Sequence, residues 1–288
     1  MARHLSESDA GLGWLVTDDG VRLRYSERGA GNEGAGTVVF LHGWAANGRW
    51  FDHNAPLAKE IRMVTLDYRG MGESEHPGHG SRVSRIAADV RCLLLKLNIE
   101  RAVLCGTSLG YTVIMSYLEL FGYERIVGVS FVDQSATMYY KPGWALGAPE
   151  LSNMAQVAEL CSQLAHNLDQ LADGIISSGF GSNPPSDRER EFFKDQILKC
   201  DPRHLGLLMY DHANLDFRDL LPHVKCPVLN FVGGSTKCHT IAGIEHIGTA
   251  VPRGLNVTFE ASGHWLYWEE PQRFNAEILE FVKMCSAE

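Results

Sequence analysis

Buried-type strands alternate with amphipathic stretches along this chain, and that rhythm restricts its fold more than any other feature. Thr37-Val38-Val39-Phe40-Leu41 is a continuous apolar run of the kind found in a strand covered on both faces. Comparable runs occur at Ile61 to Asp67, Arg101 to Cys105, Ile126 to Val132, Pro227 to Gly234 and Leu255 to Glu260. Between them, apolar residues at 83, 86, 87, 90, 93, 94 and 97 recur at helical spacing. Arg49 to Lys59, Thr112 to Leu120, Ile241 to Ala250 and Pro271 to Met284 are also read as helices. Strand, helix, strand, helix in this order predicts parallel strands joined by right-handed crossovers, the doubly wound α/β class. Trp14 to Val16 and Val21 to Tyr25 flank Asp18-Asp19-Gly20, so the chain is expected to open with an antiparallel hairpin. The glycines from Gly29 to Gly36 lack dinucleotide-fingerprint spacing and are read as a surface connection.

The rhythm breaks from about Ala136 to Leu220, where no buried-type strand occurs. Leu151 to Leu171 and Arg188 to Leu198 are read as helices, with a loop over Gly179 to Ser186 between them. The simplest reading of such an insertion is a helical cap over the carboxyl ends of the strands. Residues 1–135 and 221–288 then form the core domain and residues 136–220 the cap, an organisation for which 288 residues suffice.

One of the apolar runs enters Gly106-Thr107-Ser108-Leu109-Gly110, followed by a helical stretch. A strand, a sharp turn and a helix with serine at the apex need glycine at both ends of the pentapeptide, because the backbone passes so close to itself there. The turn lifts the Ser108 hydroxyl clear of the sheet edge at a helix N-terminus, where backbone N–H groups favour developing negative charge.

Charge and composition narrow the partners. The formal net charge of −9 argues against nucleic acid or an anionic membrane surface, both of which call for a basic footprint. Met1 to Gly13 has no apolar signal segment and no run approaches a membrane span, so a cytoplasmic protein is expected. The seven cysteines show neither metal-ligand spacing nor a Cys-x-x-Cys pair and read as free thiols; no metal and no cofactor are expected. Cys105 and Cys226 are read as buried packing residues. Asn256-Val257-Thr258 is formally a glycosylation sequon, but it falls in an expected buried strand and is read as accidental.

The residues that carry chemistry all fall at the carboxyl ends of expected parallel strands, where open α/β sheets place their sites. Trp44 follows one strand, Ser108 another, Asp133 the next and His264 the last. Nucleophile, acid and histidine in that order resemble the α/β-hydrolase superfamily over nearly the whole chain. The matching motifs are Leu41-His42-Gly43-Trp44, Asp67-Tyr68-Arg69-Gly70-Met71-Gly72-Glu73-Ser74, Gly106 to Gly110, and Gly263-His264 followed by Glu270-Pro271 and Phe274. The resemblance implies an α/β-hydrolase fold, with a mostly parallel central sheet flanked by helices, and the roles that acyl transfer requires. Ser108 is the expected nucleophile, His264 its base, and the N–H groups of Trp44 and Leu109 the oxyanion donors.

The acid departs from the commonest family pattern, which puts an aspartate shortly after the strand that ends here at Gly233-Gly234. Ser235 to Thr240 contains no carboxylate. Asp133, one strand after the nucleophile strand, is the natural replacement; its alternative role is to cap the first helix of the insertion. Asp67 is expected to hold its loop. His42, Tyr111, Tyr139 and Trp265 are candidate substrate contacts, with packing the alternative for each. Tyr111 stands where the family usually has a small residue.

These features point to a cofactor-free serine hydrolase cleaving an ester or lactone of a moderately apolar or aromatic small molecule, as a monomer or homodimer. The fold also admits a cofactor-independent dioxygenase of heteroaromatic compounds, a carbon–carbon bond hydrolase, or a ligand receptor with a vestigial triad.

Overall fold

The computed structural model describes residues 11–287; the polar stretch before them, including most of the segment read for a signal peptide, lies outside the described residues. Eight strands form one sheet: β1 Gly11–Val16, β2 Arg22–Arg28, β3 Thr37–Leu41, β4 Arg62–Leu66, β5 Ala102–Thr107, β6 Ile126–Val132, β7 Val228–Gly233 and β8 Gly254–Phe259. Their spatial order is β1-β2-β4-β3-β5-β6-β7-β8. The opening hairpin pairs antiparallel, as does β2 with β4, and every other pairing is parallel. The fold is therefore the α/β-hydrolase fold that the strand rhythm and motifs led us to expect.

Every residue of β3, β5 and β7 is buried. That accounts for their unbroken apolar runs, since helices cover both faces. Strand β8 differs from its expectation: it is the sheet edge and only its last residue is buried. Asn256 there lies between Asn230 and the Glu245 carbonyl.

Helix α1, Val83–Lys96, buries Val83, Ile86, Ala87, Val90, Leu93 and Leu94, the stripe its spacing forecasts. It is followed by α2, Leu109–Phe121. Two stretches depart from expectation in pitch: Gly48–Lys59 is a kinked 3-10 segment with Pro56 inside, and Ala30–Ala35 within the glycine-rich connection forms a 3-10 turn. The break in the first falls at Phe51, at φ −99° and ψ 15°.

Between β6 and β7 stand α3 Met154–Gly179, α4 Asp187–Ile197 and α5 Pro202–Asn214. Helix α3 runs through the residues expected to end it, with a non-helical residue at Asn167. Helix α5 was not anticipated, although its start carries a legible signature: Asp201 accepts the Arg203 N–H and Pro202 occupies the first turn. The chain closes with α6 Ile241–Ala250, the single turn α7 Leu266–Glu269, and α8 Pro271–Ala287. Among the described residues no helix is long and apolar enough to cross a membrane.

The sheet register gathers the loops that matter. Leu41 pairs with Gly106, Thr107 with Val132 and Gly233 with Phe259. The ladder continues one residue past each strand: Ser108 N–H donates to Val132 O at 3.0 Å and Asp133 N–H to Phe231 O at 3.0 Å. Candidate site residues thus leave the sheet along one edge, held in its frame.

Candidate active site

Ser108 sits at φ 52° and ψ −114°, a left-handed conformation that costs a non-glycine residue roughly 1–3 kcal/mol and persists only when its surroundings impose it. The surroundings here are two close backbone approaches. A Cβ on Gly106 would lie 2.4 Å from the Gly110 carbonyl, and one on Gly110 would lie 2.4 Å from Leu41 O. Glycine at both positions is therefore a packing requirement of the turn. Ser108 itself is half-buried, and Leu109 begins α2, so its N–H belongs to the unpaired first turn of that helix.

The structure brings Asp133 and His264 together. His264 Nδ1 lies 2.7 Å from Asp133 Oδ2. The carboxylate is wholly buried and accepts two further bonds, from Gly233 N–H at 2.9 Å and from the Thr236 hydroxyl at 2.6 Å. The first α-helix of the insertion starts at Met154 and is capped by Asn153, so the helix-capping alternative does not describe Asp133. The loop after β7, which lacks a carboxylate, thus supplies hydrogen-bond donors to the carboxylate of the neighbouring strand. A Cβ on Gly233 would lie 2.9 Å from Asp133 Oδ1, so this glycine opens the space the carboxylate occupies.

The loop carrying His264 is itself pinned. Glu269 accepts the Gly263 N–H at 2.7 Å and the Gly181 N–H at 3.0 Å, and burial raises the pKa of this carboxyl. Gly181 and Gly263 touch so closely that a Cβ on Gly263 would lie 2.6 Å from the Gly181 nitrogen.

The turn after β3 packs against the serine: a Cβ on Gly43 would come within 3.5 Å of Ser108 Cβ. Trp44 is half-buried and its indole N–H donates to Leu205 O of α5 at 2.9 Å. His42 has no exposed surface. Its Nδ1–H donates to Gly43 O at 2.8 Å and its Nε2 accepts the Tyr68 N–H at 3.0 Å. Burial holds the ring neutral, with a pKa lowered to about 3. With both nitrogens spent on backbone, His42 orders two loops and has none left for a ligand, contrary to its candidacy as a substrate contact. Asp67 likewise ties the Gly48 and Glu73 N–H groups, the loop role expected of it.

Two other candidate contacts prove to be packing residues. Tyr111 is fully buried, edge-on to Phe131 at 4.8 Å. Trp265, 3% exposed, is enclosed by Trp50, Phe180 and Phe193, and a Cβ on Gly179 would lie 2.4 Å from its ring. Tyr139 lies in a small apolar cluster with Val157 and Met209, and its hydroxyl has no partner among the described residues.

Sequence reasoning missed Thr112, Thr236, His212 and His239. Thr112 bonds His212 at 3.0 Å, and the His239 ring centroid lies 5.8 Å from that of His264. Thr236 and His239 stand in the loop after a sheet strand, which was their one available signal; His212 lies on the unanticipated α5. Two surface depressions of about 510 and 550 Å³ are lined by Leu207, Tyr210 and their neighbours, and neither is lined by Ser108, Asp133 or His264. Among the described residues no group of three or more histidine, cysteine, aspartate or glutamate side chains is arranged to hold a metal ion. Burial pushes the Cys105 thiol up to about 12 and that of Cys226 to about 11, in keeping with inert packing residues.

Comparisons with known proteins agree with this fold. The model of the alpha/beta hydrolase family matches residues 38–277. A non-heme chloroperoxidase of Streptomyces lividans is 32% identical over 283 residues, covering 94% of this chain and all of the relative. The 3-oxoadipate enol-lactonase 1 of Acinetobacter baylyi is 24% identical, over 88% of this chain and 91% of its own. Among solved structures, an esterase from Exiguobacterium antarcticum superposes with a TM-score of 0.86 at 21% identity, over 94% of this chain and 98% of that one.

Proposed function

The chain belongs to the alpha/beta hydrolase family, and we propose that within it the protein is a cofactor-free serine hydrolase that cleaves an ester or lactone of a small molecule. The observation that carries the reading is the buried Asp133 carboxylate bonded to His264 Nδ1 at 2.7 Å, one strand along from a serine held at positive φ on the glycine-flanked turn. Relatives named as esterases and enol-lactonases support it.

In this reading Ser108 Oγ attacks the carbonyl carbon while His264 Nε2 takes its proton, since a serine hydroxyl is a poor nucleophile unaided. Asp133 holds the other imidazole nitrogen protonated and stabilises the imidazolium. Its own charge is kept in place by the Gly233 N–H and the Thr236 hydroxyl. The tetrahedral oxyanion is received by the N–H groups of Trp44 and Leu109, and loss of one such donor costs on the order of a hundredfold in rate. His264 returns the proton to the departing alcohol, and water then releases the acyl group by the same steps. The insertion at residues 136–220 acts as a cap; its contacts with Trp44 and Trp265 support that role.

Stoichiometric labelling of Ser108 by a fluorophosphonate, with hydrolysis across a panel of esters and lactones, tests the reading. Full turnover by Ser108→Ala would overturn it. A histidine paired with an acid after β6 also fits the cofactor-independent dioxygenase reading. Oxygen consumption with a hydroxyquinolone that survives Ser108→Ala would favour that alternative.

A further inference from the structure

Thr112 has a single hydroxyl hydrogen, and it is donated to the Leu109 carbonyl at 2.8 Å. The contact between Thr112 Oγ1 and His212 Nδ1 at 3.0 Å can therefore form only if the imidazole donates. That fixes the His212 tautomer: Nδ1 carries the hydrogen and Nε2 presents a lone pair. His212 is 2% exposed, yet Nε2 has no hydrogen-bond partner among the described residues. His239, 5% exposed, has Nδ1 wholly enclosed and without a partner among the described residues, whereas His212 Nε2 is not so enclosed and keeps an open side. A buried polar atom without a partner is costly, and one beside His264 can be relieved by a donor on a bound molecule.

Both rings stand around His264. His239 is 5.8 Å from it, centroid to centroid, and Thr112 lies one helical turn after Ser108 on α2. We propose that His212, with His239 beside it, recognises a hydrogen-bond donor on the substrate, so that the compound carries a hydroxyl or N–H group and is not uniformly apolar. This rests on the serine reading above and deepens it by naming the substrate class. The rings suit the task because burial keeps them neutral, His212 with a pKa lowered to about 4 and His239 well below the usual value. A charged neighbour would oppose the imidazolium that His264 must become; a neutral one offers a lone pair without that penalty.

Boronic acids, which add to an activated serine, allow a test without knowledge of the natural substrate. Phenylboronic acid, its three monohydroxy isomers and their methoxy counterparts are competed against fluorophosphonate labelling of Ser108. At least one hydroxy isomer is expected to protect at a concentration about tenfold lower than the parent, and its methoxy counterpart, which cannot donate, to lose that gain. In His212→Leu the gain falls below about threefold. It also falls in Thr112→Val, which keeps the imidazole but frees its tautomer, and it survives in Thr112→Ser. Because each gain is a ratio measured on one preparation, partial misfolding does not alter it. Labelling with no hydroxy gain, or a gain that survives both His212→Leu and Thr112→Val, overturns the inference alone. Absence of labelling at Ser108 overturns the serine reading and the inference with it.

Discussion

Asp133 and His264, 131 residues apart in the chain, meet through a 2.7 Å contact between Oδ2 and Nδ1. The sheet brings their loops together through the parallel pairings of β6 with β7 and β7 with β8, and Glu269 pins the backbone just before His264. If this pair serves Ser108, Asp133→Asn should lower kcat by about 10,000-fold, because an amide in place of the carboxylate favours the wrong imidazole tautomer. Pre-steady-state acylation, with circular dichroism to verify the fold, measures it. A rate within tenfold of wild type would refute the role.

Thr236 completes the setting of that carboxylate from the loop after β7. Thr236→Val removes one charge-assisted bond and leaves the Gly233 N–H in place, so kcat/KM is expected to fall about tenfold. Thr236→Ser should restore it to within about twofold. A loss in Thr236→Ser with none in Thr236→Val would mean that the methyl group, and not the hydroxyl, is what matters.

Gly110 tests the turn. Gly110→Ala would force a methyl to 2.4 Å from Leu41 O, and a loss of about 1–3 kcal/mol in urea denaturation is expected, together with loss of Ser108 labelling. Gly174, inside α3 with nothing within 4 Å of its would-be Cβ, is the contrast: Gly174→Ala should stabilise by about 0.5–1 kcal/mol. Similar effects at both sites would contradict the close approach.

Buried histidines set the response to acid. Burial lowers the pKa of His42 from 6.5 to about 3, of His204 and His212 to about 4, and of His239 well below its usual value. Between 6.5 and about 4 the unfolded chain binds protons that the native state refuses, so stability present above pH 6.5 is lost as pH falls through this window. Asp67 opposes the trend, since burial raises it from 3.8 to about 6 and the native state holds its proton in that interval. The four histidines outnumber the carboxyls that burial raises, Asp67, Asp89 and Glu269, so a net uptake of protons on unfolding near pH 5 is predicted. The pH dependence of urea unfolding gives this uptake directly, and an uptake of zero or less would show that these rings are not held neutral.

Much of this site could be read in advance wherever chemistry depends on local backbone. Gly106, Ser108 and Gly110 form a turn within five residues, and its sterics follow from residue type. The candidacy of Asp133 followed from a missing carboxylate between Ser235 and Thr240. That the same loop would return donors to Asp133 was not legible, because register between strands far apart in sequence decides it. His212 was out of reach for a similar reason: its neighbours depend on how α5 packs against α2. Tyr111 and Trp265 show the converse, since an aromatic residue beside a catalytic motif reads alike whether it faces a ligand or fills the core.

The contact between Gly181 and Gly263 has a mechanical meaning. Glu269 grips the backbone N–H of both, one at the end of α3 and one directly before His264. An outward swing of the last turn of α3 cannot leave the backbone next to the imidazole undisturbed. The insertion and the histidine loop hang on a single hinge pin.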